Sequence, residues 1–292
     1  GLAFAAPYGV KTIFTDLEEM AATDKIDAVY IASPNKLHIE QARVFLEHGK
    51  HVICEKPLSA HAKDVAELQA LAKECGLIYL EAIMFMHLPQ RKLLEEALKK
   101  IGDISVAKID FCQRSSKYDA YLAGSLPNIF NPALETGALM DLGVYCVYPA
   151  LYLFGNPQNT LAVSHLLASG ADGSDIVAMQ YPDKLVNLVF SKVGQAGANT
   201  DFQGTNGTVS VESISKLANI SIRYNNGTVE EVCGEEEKFK LMGYEAKDFY
   251  RYITEPEASR AEYERCSALA HDVSVYMEEI RKLANIRFPS DN

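Results

Sequence analysis

The chain has 292 residues, of which 48% are hydrophobic, 23% charged and 9% aromatic, a make-up that excludes disordered, collagenous and disulfide-scaffold proteins and supplies enough chain for two cores. With 28 Lys and Arg against 39 Asp and Glu, its net charge of −11 repels phosphate backbones and anionic lipid, so neither nucleic acid nor a membrane is expected as a partner. Six scattered cysteines without C-x-x-C spacing read as reduced thiols, no apolar run reaches 18 residues and Gly1 to Val10 lacks signal-peptide flanks, which together point to the cytoplasm.

From Asp27 to Glu81, short apolar runs alternate with helical patterns, as in a parallel sheet built from strand-helix-strand units. Residues 28–32 are apolar throughout, the pattern of a strand covered on both faces. A helix over 36–48 ends at Gly49, and a second strand spans 51–54. Ser59 is placed as the cap of a helix whose Val65, Leu68, Ala72 and Cys75 recur at three- and four-residue spacing, with Gly76 closing it. Residues 77–80 form a third strand. This is half of a doubly wound α/β sheet.

After a polar helix over 90–100 the period changes. Residues 104–112, 161–168, 175–181, 185–193, 208–211, 220–224 and 228–233 read as strands joined by short turns, among them the hairpin signal Asn225-Asn226-Gly227. They predict an α+β unit with a large open, mainly antiparallel sheet. Glycine-rich 194–207 lies between antiparallel strands and is assigned as loop rather than phosphate cradle. Residues 136–155, apolar nearly all round, predict a buried helix, and a helix over 257–285 is expected to pack back on the body. The boundary is placed near residue 84, giving units 1–84 and 85–292.

Ligands of open parallel sheets bind beyond the carboxyl ends of the strands. There the sequence places Ser33-Pro34-Asn35 with His38, then Glu55-Lys56-Pro57, then Glu81-Ala82. A lysine at such an edge can bind a ligand oxygen or pass a proton, although Glu55 and Lys56 read equally as a solvated pair and His38 as a structural hydrogen-bonding group. Asp141 stands within an apolar helix, where an unpaired carboxylate costs several kcal/mol, so it needs a partner or a cleft. Tyr145 and Tyr148, four and seven residues on, share its face and either flank a substrate hydroxyl with it or pack as hydrophobes. Arg114, Ser115 and Tyr118 line a substrate crevice or a solvated loop, and Met84 and Met86 fill core or pocket space.

Taken together, Ala-Ser-Pro-Asn-Lys-Leu-His (32–38), Gly-Lys-His-Val-Ile-Cys-Glu-Lys-Pro-Leu (49–58), Glu-Ala (81–82) and Gly-Ala-Leu-Met-Asp-Leu-Gly-Val-Tyr (137–145) resemble the Gfo/Idh/MocA family of NAD(P)-dependent oxidoreductases. The likeness is greatest to the branch of dimeric dihydrodiol dehydrogenase and glucose-fructose oxidoreductase, which carries a tyrosine at the position of Tyr145. It implies a Rossmann-type first unit and hydride transfer between NAD or NADP, with NADP favoured, and a secondary hydroxyl of a sugar, inositol or cyclic diol. By the same resemblance Lys56 and Tyr145 shuttle the hydroxyl proton, Glu55 orients Lys56, and Asp141 binds substrate or holds Lys56. Ser33, Pro34, Asn35, His38, Glu55, Lys56 and Ala82 line the cofactor; Arg114 is carried as a substrate contact; no metal is implied. A homodimer or higher homo-oligomer through the open sheet face is implied too.

Three departures from the family pattern stand out. Cys146 replaces a histidine common one residue after Tyr145, which leaves the proton to Tyr145. Met86 stands where the branch often has arginine. No G-x-G-x-x-G occurs, and Leu2 to Val10 resembles the helix after the family's second strand, so at least one further strand-helix-strand unit is expected ahead of Gly1. The alternative is a non-catalytic sugar- or dinucleotide-binding relic of the same fold.

Overall fold

The computed structural model describes residues 1–291. Helices Leu2–Ala5 (α1) and Leu17–Ala22 (α2) lead into strand Ala28–Ile31 (β1), His38–Glu47 (α3) connects it to His51–Glu55 (β2), and Ala62–Cys75 (α4) connects that to Tyr79–Ala82 (β3). The three strands pair in parallel in that order, with Val29 opposite Val52 and Ile53 opposite Leu80. Val52, Ile53 and Cys54 are all buried, as the middle strand of a sheet covered on both faces requires.

Two boundaries move for tertiary reasons. Ser59 does not cap α4: its Oγ accepts the His61 N–H at 3.0 Å, and the Ala62 N–H goes 2.9 Å to a carboxylate oxygen of Glu278, on the last helix. The third strand starts two residues later than the apolar run, because the Leu77 N–H is spent on Ala72 O at 2.8 Å in closing the helix through left-handed Gly76.

The second sheet comes after helix Gln90–Lys100 (α5). Its strands are Ile104–Cys112 (β4), Asn159–Leu166 (β5), Asp172–Gln180 (β6), Leu185–Ser191 (β7), Thr200–Gly204 (β8), Gly207–Ser213 (β9), Ala218–Tyr224 (β10) and Val229–Cys233 (β11). Between β4 and β5 lie Tyr118–Leu122 (α6) and Val144–Phe154 (α7); Lys238–Thr254 (α8) and Pro256–Leu283 (α9) end the chain. The order is β11-β10-β9-β8-β4-β7-β6-β5, and β4 with β7 is a parallel pair in an otherwise antiparallel sheet.

Two expectations are corrected by the second sheet and its helices. The loop assigned to 194–207 contains β8, whose Thr200 and Phe202 are buried in register with Val211 and Val209. Helix α8 went unpredicted: its buried residues Leu241, Glu245 and Tyr252 include only two apolar ones in 17 residues, too sparse a stripe to read.

Helix α7 packs against β4 and β7, its Val144, Cys146, Val147, Tyr148 and Ala150 fully buried, and α9 crosses α7, α4 and β3. The opposite sheet face is open, with Leu161 and Val163 each 65% exposed beside Ile176 and Leu185.

Candidate active site

All three parallel strands end on the side where β2 gives way to Lys56. The loop there is braced from within. Glu81 Oε1, on β3, accepts the Leu58 N–H at 3.1 Å, and its other oxygen takes the hydroxyl of Tyr148. His38 is fully buried, with Nδ1 2.9 Å from Pro57 O and Nε2 2.9 Å from Ser33 O. It ties two strand ends together through backbone carbonyls rather than presenting its ring to a cleft.

From the second unit comes the segment carrying Asp141 and Tyr145. Residues Leu139–Gly143 form one wide π turn running directly into α7. Its start is anchored by buried Asp172 on β6, which accepts the Leu139 N–H at 2.6 Å. Gly137 is required there, because a Cβ would stand 1.8 Å from Asp172 Oδ1. Gly143 lets the turn close on β7: a Cβ would meet Leu139 and Phe190 at 2.9 Å. The inserted residue of a π turn rotates the side chains downstream of it, so Asp141, Tyr145 and Tyr148 do not all share one face as the spacing implied. Tyr148 turns to Glu81, leaving Asp141 and Tyr145 with Lys56.

Lys56 Nζ donates to Asp141 Oδ1 at 2.9 Å and to Asp141 O at 2.8 Å, with only 11% of its side chain exposed. Of three ammonium donors, two are thus spent and one is free. The same nitrogen lies 4.9 Å from the centre of the Tyr145 ring, which also packs edge-on against Phe111 at 5.5 Å. The Tyr145 hydroxyl has no hydrogen-bond partner among the described residues, and no direct bond joins it to Lys56. Asp141 Oδ2 takes a second ammonium, that of Lys192 just after β7, which sequence reasoning missed. The signal available was weak: a lysine at the end of an apolar run, two residues beyond Phe190.

Placement sets the charges. Burial works to raise the Asp141 carboxyl, but Lys56 and Lys192 overcome it and hold it at about 2. Lys56 is pulled down by burial and pushed above its ordinary value by Asp141 and Tyr145. Burial lifts the Tyr145 phenol against the opposing pull of Lys56, so it stands protonated at neutral pH. Burial also pushes Glu81 up to about 7, and burial with the charges of Glu55 and Glu81 pushes Glu245 up to about 8.

The remaining predicted residues divide. Glu55 does not orient Lys56; its Oε1 accepts the Tyr30 hydroxyl at 2.6 Å, and Asp141 fills the orienting place. Asn35 Nδ2 reaches across to Glu135 O at 2.8 Å, Pro34 opens the short helix over Asn35–Leu37, and Ala82 ends β3, buried. Arg114 is not brought to the cluster: it pairs with Asp119 at 2.6 Å and lies over Tyr118, at the surface. Met86 is buried and Met84 partly so, as fillers. The Ser33 Oγ is buried without a hydrogen-bond partner, an open donor at the strand ends. That orphan and the free donor of Lys56 each suit a polyhydroxyl ligand such as the ribose and amide half of a nicotinamide dinucleotide. Among the described residues no cluster suited to a metal ion is found.

Comparison with known proteins agrees in both halves. Residues 1–82 match the oxidoreductase family described as GFO_IDH_MocA, NAD-binding Rossmann fold, and residues 91–210 match the GFO/IDH/MocA C-terminal domain. The chain is 41% identical to scyllo-inositol 2-dehydrogenase (NADP(+)) IolU of Bacillus subtilis (strain 168), over 99% of this chain and 87% of that one. It is 28% identical to trans-1,2-dihydrobenzene-1,2-diol dehydrogenase of Mus musculus, over 99% of this chain and 86% of the relative. In fold it matches levoglucosan dehydrogenase, solved with NADH and levoglucosan, at a TM-score of 0.81 and 19% identity, covering 96% of this chain and 84% of that one.

Proposed function

The chain belongs to the Gfo/Idh/MocA family of NAD(P)-dependent oxidoreductases, and from that premise we propose that it interconverts a secondary hydroxyl and a ketone on an inositol or related cyclic polyol. One observation carries the reading: Lys56, just after β2, and Tyr145, on α7, meet with one ammonium donor and one phenol hydroxyl left without protein partners. The scyllo-inositol dehydrogenase of Bacillus subtilis, at 41% identity, favours inositol and NADP over other choices within the class.

Residues 1–84 bind the dinucleotide and 85–292 the polyol. Ser33, Pro34, Asn35 and Ala82 line the cofactor, with His38 holding their loops in place. A bound nicotinamide supplies the hydride donor or acceptor at C4. Lys56, held by Asp141, turns its free N–H to the substrate oxygen and stabilises the alkoxide character that develops there. Tyr145 gives its proton to that oxygen in reduction and receives it in oxidation. Because the resting phenol is protonated, oxidation requires it to lose a proton first and gains from alkaline pH. No proton passes directly between Lys56 and Tyr145; the ammonium acts on the ring through its charge.

Two finer points belong to the same reading. The chain works in the cytoplasm, whose reducing poise suits six free cysteines, half of them outside the core. It assembles with further copies through the open sheet face, where Leu161, Val163, Ile176 and Leu185 lie uncovered. The testing experiment incubates the purified full-length protein with NADP or NAD and scyllo-inositol, myo-inositol or levoglucosan, and monitors reduced nicotinamide by absorbance. Turnover with at least one polyol is expected; none with any of them, against intact folding, defeats the proposal.

A further inference from the structure

Lys192 is fixed along its backbone before its side chain does anything. Its N–H donates to Gly173 O and its carbonyl accepts from the Ser115 N–H, each at 2.8 Å. Only 8% of its side chain is exposed, and its ammonium goes to Asp141 Oδ2 while Lys56 takes Oδ1. Burying an ammonium costs several kcal/mol unless it is paired. Pairing alone does not explain the arrangement, because Asp141 already has Lys56, and a second ammonium leaves two positive charges on one carboxylate.

We propose that Lys192 is a positioning residue for proton transfer: by occupying the second oxygen of Asp141 it keeps that carboxylate from cancelling the Lys56 charge, which then acts on Tyr145 and on the bound hydroxyl. This rests on the dehydrogenase reading above. The groups acting on Tyr145 are Lys56 and Glu55 at the end of β2, Asp141 on the preceding turn, and Glu245 on α8, with Tyr30 of β1 nearby. Lys56 is the one cation among them, and three carboxyl groups oppose it. Lys192 offsets one of those carboxylates, that of Asp141. Without it, Asp141 turns its whole charge on Lys56 and Tyr145, and the phenol grips its proton more tightly.

The test compares Lys192→Met and Lys192→Arg with the unaltered protein. It reads the pH profile of kcat/KM for polyol oxidation, and the ionisation of Tyr145 from NMR of carbon-13-labelled tyrosine, the signal being assigned through Tyr145→Phe. In Lys192→Met both midpoints should move up by about half to one pH unit, so that oxidation at neutral pH falls a few-fold to about tenfold and recovers at high pH. Lys192→Arg should restore the original midpoints. Equal loss at every pH with no shift in either midpoint would show a merely structural residue and overturn the proposal, as would a methionine variant indistinguishable from the original. If the methionine variant fails to fold, the arginine and glutamine variants carry the same comparison. Should the original protein turn over no polyol while the Tyr145 signal still moves in Lys192→Met, the dehydrogenase reading falls and the electrostatic role of Lys192 stands.

Discussion

The ammonium of Lys56 lies 4.9 Å from the centre of the Tyr145 ring and makes its hydrogen bonds to Asp141 instead of to the phenol oxygen. A cation over the ring stabilises that contact by about 0.5–2 kcal/mol and leaves the hydroxyl free for a ligand. The geometry therefore separates two jobs, charge from Lys56 and proton from Tyr145, and each can be removed alone.

Tyr145→Phe keeps the ring against Lys56 and Phe111 and deletes only the hydroxyl. Its expected effect is a fall in kcat of about 10²–10⁴-fold with little change in KM or melting temperature. Lys56→Met should lose as much turnover and also weaken binding, because it removes a donor to the substrate. Steady-state kinetics on both variants decide, and unchanged kcat in either one removes that residue from the chemistry.

Stability should fall as pH rises from 5 to 9. Glu81 and Glu245 are pushed up to about 7 and about 8, chiefly by burial, so the folded chain keeps protons that the unfolded chain has already released. A raised carboxyl contributes stability that is complete below its unfolded value near 4.3 and is lost as pH climbs through the folded value. Glu245→Gln should flatten the upper part of a urea-midpoint profile, since the amide cannot ionise. Asp141, held at about 2, has the opposite sign, and its contribution disappears only as pH drops from about 4 toward 2.

Gly137→Ala should damage both stability and catalysis although residue 137 touches no substrate. The new methyl would stand 1.8 Å from Asp172 Oδ1, which forces apart the carboxylate and the Leu139 N–H that it accepts. Loss of that buried bond and the accompanying strain are worth about 2–4 kcal/mol, read as a lower chemical-denaturation midpoint. Paired loss of kcat would show that the turn carrying Asp141 has moved.

On the open sheet face, Val163→Lys places a charge among exposed Leu161, Ile176 and Leu185 without touching the core. Light scattering should then find monomers where the unaltered chain forms dimers or larger assemblies. A monomer in both samples would remove the proposed interface.

Much of this site was legible in the linear chain. The apolar run 51–54 with Glu55-Lys56-Pro57 after it fixes a buried strand that must stop, and an aspartate inside the apolar stretch 137–148 must find a partner because its desolvation is so costly. Local chemistry determines both. The partner was another matter. Lys192 stands 51 residues from Asp141 with only its place at the end of an apolar run to mark it, and it arrives there because β7 pairs in parallel with β4 beside the anchored turn.

The sequence by itself determined two units of different periodicity and the strand-end residues of the first, since side-chain alternation and backbone restriction act within a few residues. Only the tertiary structure decided which charges meet. It sent Glu55 to Tyr30, Tyr148 to Glu81 and Arg114 to Asp119, and it gave Asp141 two lysines. One extra residue in a π turn and one parallel strand pair set the partners of Tyr148 and Asp141, and hydrogen bonds reach about 3 Å while the spacing of a motif cannot resolve a rotation of that size.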